Sequence, residues 1–141
     1  MFPDTTRILI ADDMSSLRDL LKAYLRRLGF KQISEAADGH EAYQILLAAK
    51  SSGAPIQLVI SDWNMPNCTG LEFLKMVRAV PEWKSLPFLL LTTESEKDKV
   101  LEALQAQVTN YIVKPIEEKT LEDKLSRTWQ KLQGAKDPTK L

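Results

Sequence analysis

The chain has 141 residues, of which 44% are hydrophobic and 27% are charged, and its 19 basic and 19 acidic side chains give a formal net charge of zero. This size and balance are those of one ordinary globular domain that can bury its own core. The absence of a basic excess argues against a nucleic-acid partner and against attachment to a membrane surface. No apolar run approaches the ~18 residues that a membrane-spanning helix needs.

The sequence also favours a reducing compartment. Its single cysteine, Cys68, cannot form an internal disulfide. Residues 1–7 lack the basic segment and apolar stretch of a signal peptide. We therefore predict a cytoplasmic protein with one domain over residues 1–133 and a polar, frayed tail over residues 134–141.

The first predicted elements are a strand and an amphipathic helix. Residues 8–11 form a short apolar run that stops at a pair of aspartates. Ser15 and Ser16 are candidates for the cap of the following helix, and Gly29 is placed to end it. The apolar residues of this helix recur at helical spacing: Leu17, Leu20, Leu21, Tyr24, Leu25 and Leu28.

The same alternation continues along the rest of the chain. Further strands are predicted at residues 33–36, 58–61, 88–91 and 111–113. Helices are predicted over residues 42–49, 71–80, 96–105 and 121–132. Strands that are apolar throughout are covered on both faces, which is typical of a parallel sheet. We therefore predict a doubly wound α/β fold.

Polar side chains follow four of the predicted strands. They are Asp12, Asp13, Asp62, Thr92, Thr93 and Lys114. Ligands of an open parallel sheet bind beyond the carboxyl ends of its strands, so these groups should meet in one region. Clustered carboxylates repel one another unless a hard cation joins them, and an all-oxygen set suits Mg²⁺ better than zinc. A carboxylate beside an amine and a hydroxyl then resembles a phosphoryl site.

Each of these residues also has an ordinary structural interpretation. Asp12 or Asp13 could cap the first helix, and Asp62 could be a turn residue. Lys114 alone could be a solvated charge. Their joint appearance at four strand ends favours the functional interpretation. A zinc site or a catalytic triad lacks its usual parts, because His40 is the only histidine.

The remaining candidates are expected to have structural roles. Trp83 and Trp129 are predicted to be packing residues, and Cys68 to be a bystander in a loop. Trp63 follows Asp62 directly and is predicted to be half exposed at the rim of the site. A dinucleotide site is not supported, because it needs a glycine-rich turn after the first strand and no glycine occurs before Gly29.

From Arg7 to about Trp129, these residues resemble the response-regulator receiver family, and most of all its chemotaxis members. The resemblance rests on the acidic pair and on the segments SDWNMPN (61–67), GLE (70–72), LTTE (91–94), YIVKP (111–115) and TLEDKL (120–125). It implies a flavodoxin-like (βα)5 sandwich with the parallel strand order 2-1-3-4-5.

The resemblance also implies a Mg²⁺-dependent phosphoryl site. Asp62 would be the phosphoacceptor, taking its phosphoryl group from a phosphohistidine on a chemotaxis-type histidine kinase. Mg²⁺ would be bound by Asp13 and Asp62, by Asp12 mostly through water, and by the backbone carbonyl of Asn64. Lys114 would pair with the phosphoryl group, and the bond that follows it, to a proline, is expected to be cis.

Output is expected to follow from a change in one face of the domain. Thr92 would hydrogen-bond a phosphoryl oxygen, and Tyr111 would move inward. The face made by the fourth helix, fifth strand and fifth helix, with Tyr111 and Lys124, would then bind a flagellar motor switch protein. The rim of the site is expected to be Trp63, Thr93 and Glu94.

The resemblance implies a regulator that assists only its own phosphotransfer and autodephosphorylation, and it allows a phosphatase partner. The alternative within the same fold is a phosphate sink or phosphorelay shuttle without a motor partner. A haloacid-dehalogenase-like phosphatase would need an aspartate two residues after Asp62, where Asn64 stands. The chain departs from the family pattern at Thr93, at residues 106–107, where a glycine is usual, and in a slightly long link at residues 51–55.

Overall fold

The computed structural model describes residues 1–93 and 99–136. Within them lies one parallel sheet with the order β2-β1-β3-β4-β5. Its strands are β1 (Arg7–Ala11), β2 (Gln32–Ala36), β3 (Leu58–Asp62), β4 (Phe88–Thr92) and β5 (Asn110–Val113). The helices are α1 (Ser15–Arg27), α2 (Gly39–Ser51), α3 (Gly70–Arg78), α4 (Val100–Gln105) and α5 (Glu118–Lys136). The predicted α/β fold and strand order are confirmed.

Two apolar layers cover the faces of this sheet. In β3, Leu58 and Ile60 belong to the layer shared with α1 and α5, whereas Val59 belongs to the layer shared with α2 and α3. Every residue of β3 and β4 is buried, as expected for strands covered on both faces. Polar chemistry on these two strands is therefore confined to their ends.

The start of α1 differs from its prediction. Its N-cap is Met14, which makes no side-chain cap hydrogen bond, and Ser15 is already helical. The Met14 N–H donates to Asp12 Oδ1 at 2.9 Å, so the carboxylate of Asp12 holds the residue directly before the helix. The predicted end is correct: Gly29, with a φ of +103°, takes the left-handed conformation that glycine favours.

The other helix boundaries shift by a few residues. Helix α3 begins at Gly70 because Thr69 and Glu72 form a reciprocal capping box. Helix α5 continues to Lys136, so Gly134 is helical and is not the start of a frayed tail; residues 137–141 lie outside the described residues. The predicted start of the fourth helix, near residue 96, also lies outside them.

The loop before β5 has a left-handed backbone position. Gln107 has a φ of +66°, so a non-glycine residue holds the left-handed position before β5. Arg78 holds this loop in place, with its Nε donating to the Gln107 carbonyl at 3.0 Å.

In the described part of the chain, no helix is both long and apolar enough to cross a membrane.

Candidate functional site

Three carboxylates meet at the carboxyl ends of the two central strands. Asp62 is the last residue of β3, and Asp12 and Asp13 follow β1. Ala11 pairs with Ser61 in the parallel register, which brings the next residue of each strand level with the other. One oxygen from each carboxylate lies within 4.8 Å of the other two. Asp12, Asp13 and Asp62 are called the acidic pocket below.

Asp12 is held in place by its backbone and by one carboxylate oxygen. Its N–H donates to the Ala36 carbonyl at 3.0 Å, and its Oδ1 accepts the Met14 N–H at 2.9 Å. Its Oδ2 is buried and has no hydrogen-bond partner among the described residues. Burial is the largest cause that raises the pKa of Asp12 to about 6, and the nearby Asp62 and Asp13 add to it.

The acidic pocket therefore fits a hard divalent cation. A buried oxygen with no partner is costly unless a ligand satisfies it. Three clustered carboxylates supply the hard oxygen ligands that Mg²⁺ accepts, and the described residues around them include no nitrogen or sulfur ligand in the group. Asp13 is exposed, so this side of the acidic pocket is open to solvent.

Asp62 is paired with the amine that the sequence placed after the last strand. Lys114 Nζ lies 2.8 Å from Asp62 Oδ1, and the Trp63 N–H donates to the same oxygen at 2.9 Å. The Lys114 N–H donates to the Thr92 carbonyl at 2.7 Å, and the Lys114–Pro115 bond is cis. Burial raises the pKa of Asp62, and the hydrogen bond and charge of Lys114 oppose that rise.

The predicted switch residues lie on the neighbouring strands. Thr92 is buried at the end of β4, and its Oγ1 donates to the Thr93 carbonyl at 3.2 Å. Thr93 and Tyr111 are half-buried. Lys124 of α5 places its Nζ 5.1 Å from the centre of the Tyr111 ring, a cation–π distance. Glu94, predicted at the rim, lies outside the described residues.

The prediction for Trp63 was wrong. Trp63 is only 4% exposed, and its N–H also donates to the Leu91 carbonyl at 3.0 Å, which continues the pairing of β3 with β4. Alternation along a strand puts Trp63 on the same face as Val59, and that face is covered by α2 and α3. Trp83, by contrast, is buried, in agreement with its predicted packing role, and Trp129 packs against Phe2 in a tilted arrangement with a centroid distance of 5.0 Å.

The sequence did not predict the contacts that Gly70 and Arg18 make near the acidic pocket. A Cβ on Gly70 would overlap the backbone carbonyl of Asp62, so only glycine allows α3 to start this close to β3. The capping-box pattern of Thr69 and Glu72 could have identified Gly70 as the first helical residue. Arg18 Nη1 donates to the Asp12 carbonyl at 2.6 Å, and no local sequence pattern predicts this contact. Asn64, two residues after Asp62, is exposed.

Comparison with known proteins agrees with this architecture. The family model of the response regulator receiver domain matches residues 8–126. The chain is 38% identical over 128 residues to the chemotaxis protein CheY of Pseudomonas aeruginosa, a match that covers 91% of this chain and 99% of the relative. It is 41% identical over 126 residues to CheY-3 of Vibrio cholerae, covering 89% and 93% of the two chains. The structure of the response regulator CheY4 of Vibrio cholerae superposes with a TM-score of 0.75 at 37% identity, over 88% of this chain and 98% of that one. The chain belongs to the response regulator receiver domain family.

Proposed function

We propose that this protein is a response regulator of a chemotaxis-type two-component system, and that it accepts a phosphoryl group on Asp62 in a Mg²⁺-dependent reaction. One observation carries the proposal: Asp62 contacts Lys114 at 2.8 Å inside a group of three carboxylates. A group built for stability alone would not bury a second carboxylate beside this ion pair. The similarity to chemotaxis regulators in the two bacteria supports the signalling context.

Phosphoryl transfer to Asp62 follows from the groups around it. A carboxylate oxygen of Asp62 forms the bond to phosphorus while the bond from phosphorus to the donor breaks, and the leaving group keeps the electron pair. The product is an acyl phosphate on Asp62. The ammonium of Lys114, now 2.8 Å from Asp62 Oδ1, lies where it can pair with a phosphoryl oxygen as charge develops there.

The residues that would hold Mg²⁺ are Asp12, Asp13, Asp62 and the backbone carbonyl of Asn64. When bound, the ion supplies positive charge that neutralises the carboxylates and the oxygens of the transferred group. Asp12 offers for this purpose its Oδ2, which has no hydrogen-bond partner in the part of the chain that the structure describes. Because its backbone and Oδ1 are already fixed, Asp12 needs little rearrangement to act as a ligand.

The proposed output is a change in the face formed by α4, β5 and α5. Thr92 would turn its hydroxyl to a phosphoryl oxygen, and Tyr111 would move into the vacated space and away from Lys124. The partners proposed for this protein are a chemotaxis-type histidine kinase and a flagellar motor switch protein, with a phosphatase as a further partner, all in the cytoplasm. Support for them comes from the chemotaxis relatives.

Labelling with a small phosphodonor tests the acceptor. Acetyl phosphate in the presence of Mg²⁺ should add one phosphoryl group to the native protein, measured by intact-mass spectrometry, and none to Asp62→Asn. Asp123→Asn, which makes the same chemical change at an exposed position on α5, serves as the matched control and should label normally. Labelling that persists in Asp62→Asn would show that another residue is the acceptor.

A binding experiment tests the output. The N-terminal peptide of a motor switch protein should be retained by protein carrying a phosphoryl mimic and lost without it. Tyr111→Ala should weaken this retention and leave labelling of Asp62 intact. A labelled protein that never retains the peptide would favour the alternative, a phosphate sink or phosphorelay shuttle.

A further inference from the structure

Arg18 is bonded to the backbone of the acidic pocket although it is not one of its carboxylates. Its Nη1 donates to the Asp12 carbonyl at 2.6 Å, and its side chain is only 19% exposed. With this bond, both backbone polar groups of Asp12 have partners, and its Oδ1 has a third. The buried Oδ2 is thus the part of Asp12 that lacks a partner among the described residues.

The orientation of Arg18 is itself fixed by a cluster of charges. Arg18 Nε lies 3.0 Å from Glu35 Oε1, and Lys22 Nζ lies 2.7 Å from Glu35 Oε2. Asp19 also contacts Lys22, at 3.3 Å. Arg18, Asp19, Lys22 and Glu35 are called the Glu35 cluster below. Because Glu35 lies on β2 and Arg18 on α1, the cluster locks the guanidinium between two elements that flank β1.

We propose that Arg18 is a positioning residue for cation binding at Asp12, and that Glu35 orients it. The inference depends on the proposed Mg²⁺ site and adds a residue that does not touch the ion. A charged donor on the carbonyl of Asp12 makes a strong hydrogen bond that fixes the end of β1. Mg²⁺ demands near-ideal geometry from its ligands, so a fixed carboxylate binds it better than a mobile one.

A simple electrostatic role predicts the opposite result, which makes the inference testable. Arg18 carries a positive charge near a cation site. If charge alone mattered, removing Arg18 would reduce repulsion and raise the affinity for Mg²⁺. If positioning dominates, removing Arg18 lowers the affinity, by about tenfold for loss of a group that supports a metal ligand. The sign of the change distinguishes the two roles.

The experiment measures the Kd for Mg²⁺ by calorimetry and the free energy of unfolding in chelator, separately, for each variant. Arg18→Met should bind Mg²⁺ about tenfold more weakly. Arg18→Lys keeps the charge but lacks the planar guanidinium that donates to both Asp12 and Glu35. This variant should also bind Mg²⁺ more weakly. Glu35→Gln keeps Arg18 but loosens its orientation, so a smaller, few-fold loss is expected; this variant also serves if Arg18→Met does not fold.

Arg27→Met is the matched control, because it removes an arginine at the far end of the same helix, where Arg27 pairs with Glu118 at 3.1 Å. It should bind Mg²⁺ as the native protein does. If Arg18→Met binds Mg²⁺ as tightly as the native protein or more tightly, or if Arg27→Met is weakened equally, the positioning role is refuted. If the native protein itself binds no Mg²⁺, the proposed function fails instead.

Discussion

The acidic pocket and the Glu35 cluster are neighbours joined through Arg18, but they differ in whether the oxygens of their carboxylates have partners. Glu35 has a cation at each oxygen, and these hydrogen bonds, first that of Lys22, lower its pKa. Asp12 has an oxygen without a partner among the described residues, and burial raises its pKa to about 6. Arg18 and Lys22 thus pair with Glu35 and not with the carboxylate of Asp12, whereas Lys114 pairs with Asp62.

The Glu35 cluster therefore stabilises the fold, whereas the acidic pocket is suited to binding a ligand. The Glu35 cluster is complete in the protein alone, since each charge has an opposite charge within 3.3 Å. In the acidic pocket, Asp62 is paired with Lys114, whereas Asp12 Oδ2 has no partner among the described residues. Natural proteins retain such unfavourable local choices mainly at functional sites. Three predictions test whether the contrast has the physical origin described here.

The largest effect is expected from Asp12→Asn in chelator. The native fold holds a proton on Asp12 up to about pH 6, whereas the unfolded chain releases it near 3.8. The unfolded state therefore binds fewer protons in this window, so the free energy of unfolding falls as the pH rises through it. A shift of about two pKa units corresponds to a loss of about 3 kcal/mol, as an upper bound, by neutral pH.

Asparagine keeps the acceptor for the Met14 N–H but cannot ionise, so Asp12→Asn should escape this loss. The stability difference between variant and native protein should be near zero at about pH 4 and reach about 2 to 3 kcal/mol in favour of the variant at about pH 7. Urea unfolding at a series of pH values measures it. A variant that is less stable than the native protein at neutral pH would contradict the account of Asp12.

Added Mg²⁺ should remove most of this difference. A ligand that binds only the folded state at 100 times its Kd adds about 2.7 kcal/mol to the free energy of unfolding. The native protein should therefore gain about that much, with a higher Tm by differential scanning calorimetry. Asp12→Asn lacks one carboxylate ligand and should gain clearly less. An equal gain in both proteins would place the ion elsewhere.

The sequence could predict the grouping of the acidic pocket with Lys114, because these residues lie at strand ends. Asp12, Asp13, Asp62 and Lys114 each lie just after the end of a predicted strand, and parallel strands bring such positions to one edge of the sheet. That argument needs only the fold class. It does not need any knowledge of which side chains touch.

The parts that could not be predicted depend on contacts between distant segments. Arg18 of α1 donates to the backbone carbonyl of Asp12 and to the side chain of Glu35 on β2. Neither contact produces a recognisable local pattern in the sequence. Ser15 does not act as the cap because the helix already begins at it and Met14 holds the N-cap position. The position of Trp63 directly after Asp62 predicts a place at the rim, but its N–H still pairs with β4 and its side chain is buried.

The smallest effect is expected from Glu35→Gln, which makes at the Glu35 cluster the same carboxylate-to-amide change as Asp12→Asn. Here the sign should be the opposite. The lowered pKa of Glu35 means that its contribution is present above its ordinary value of 4.5 and is lost as the pH falls below it. Since the Glu35 side chain is 35% exposed, the loss at neutral pH should be small, about 0.2 to 1 kcal/mol. High salt should reduce it further, because partly exposed ion pairs are screened. Urea unfolding at low and high salt, in chelator, checks both points, and stabilisation by Glu35→Gln would remove the contrast between the two regions.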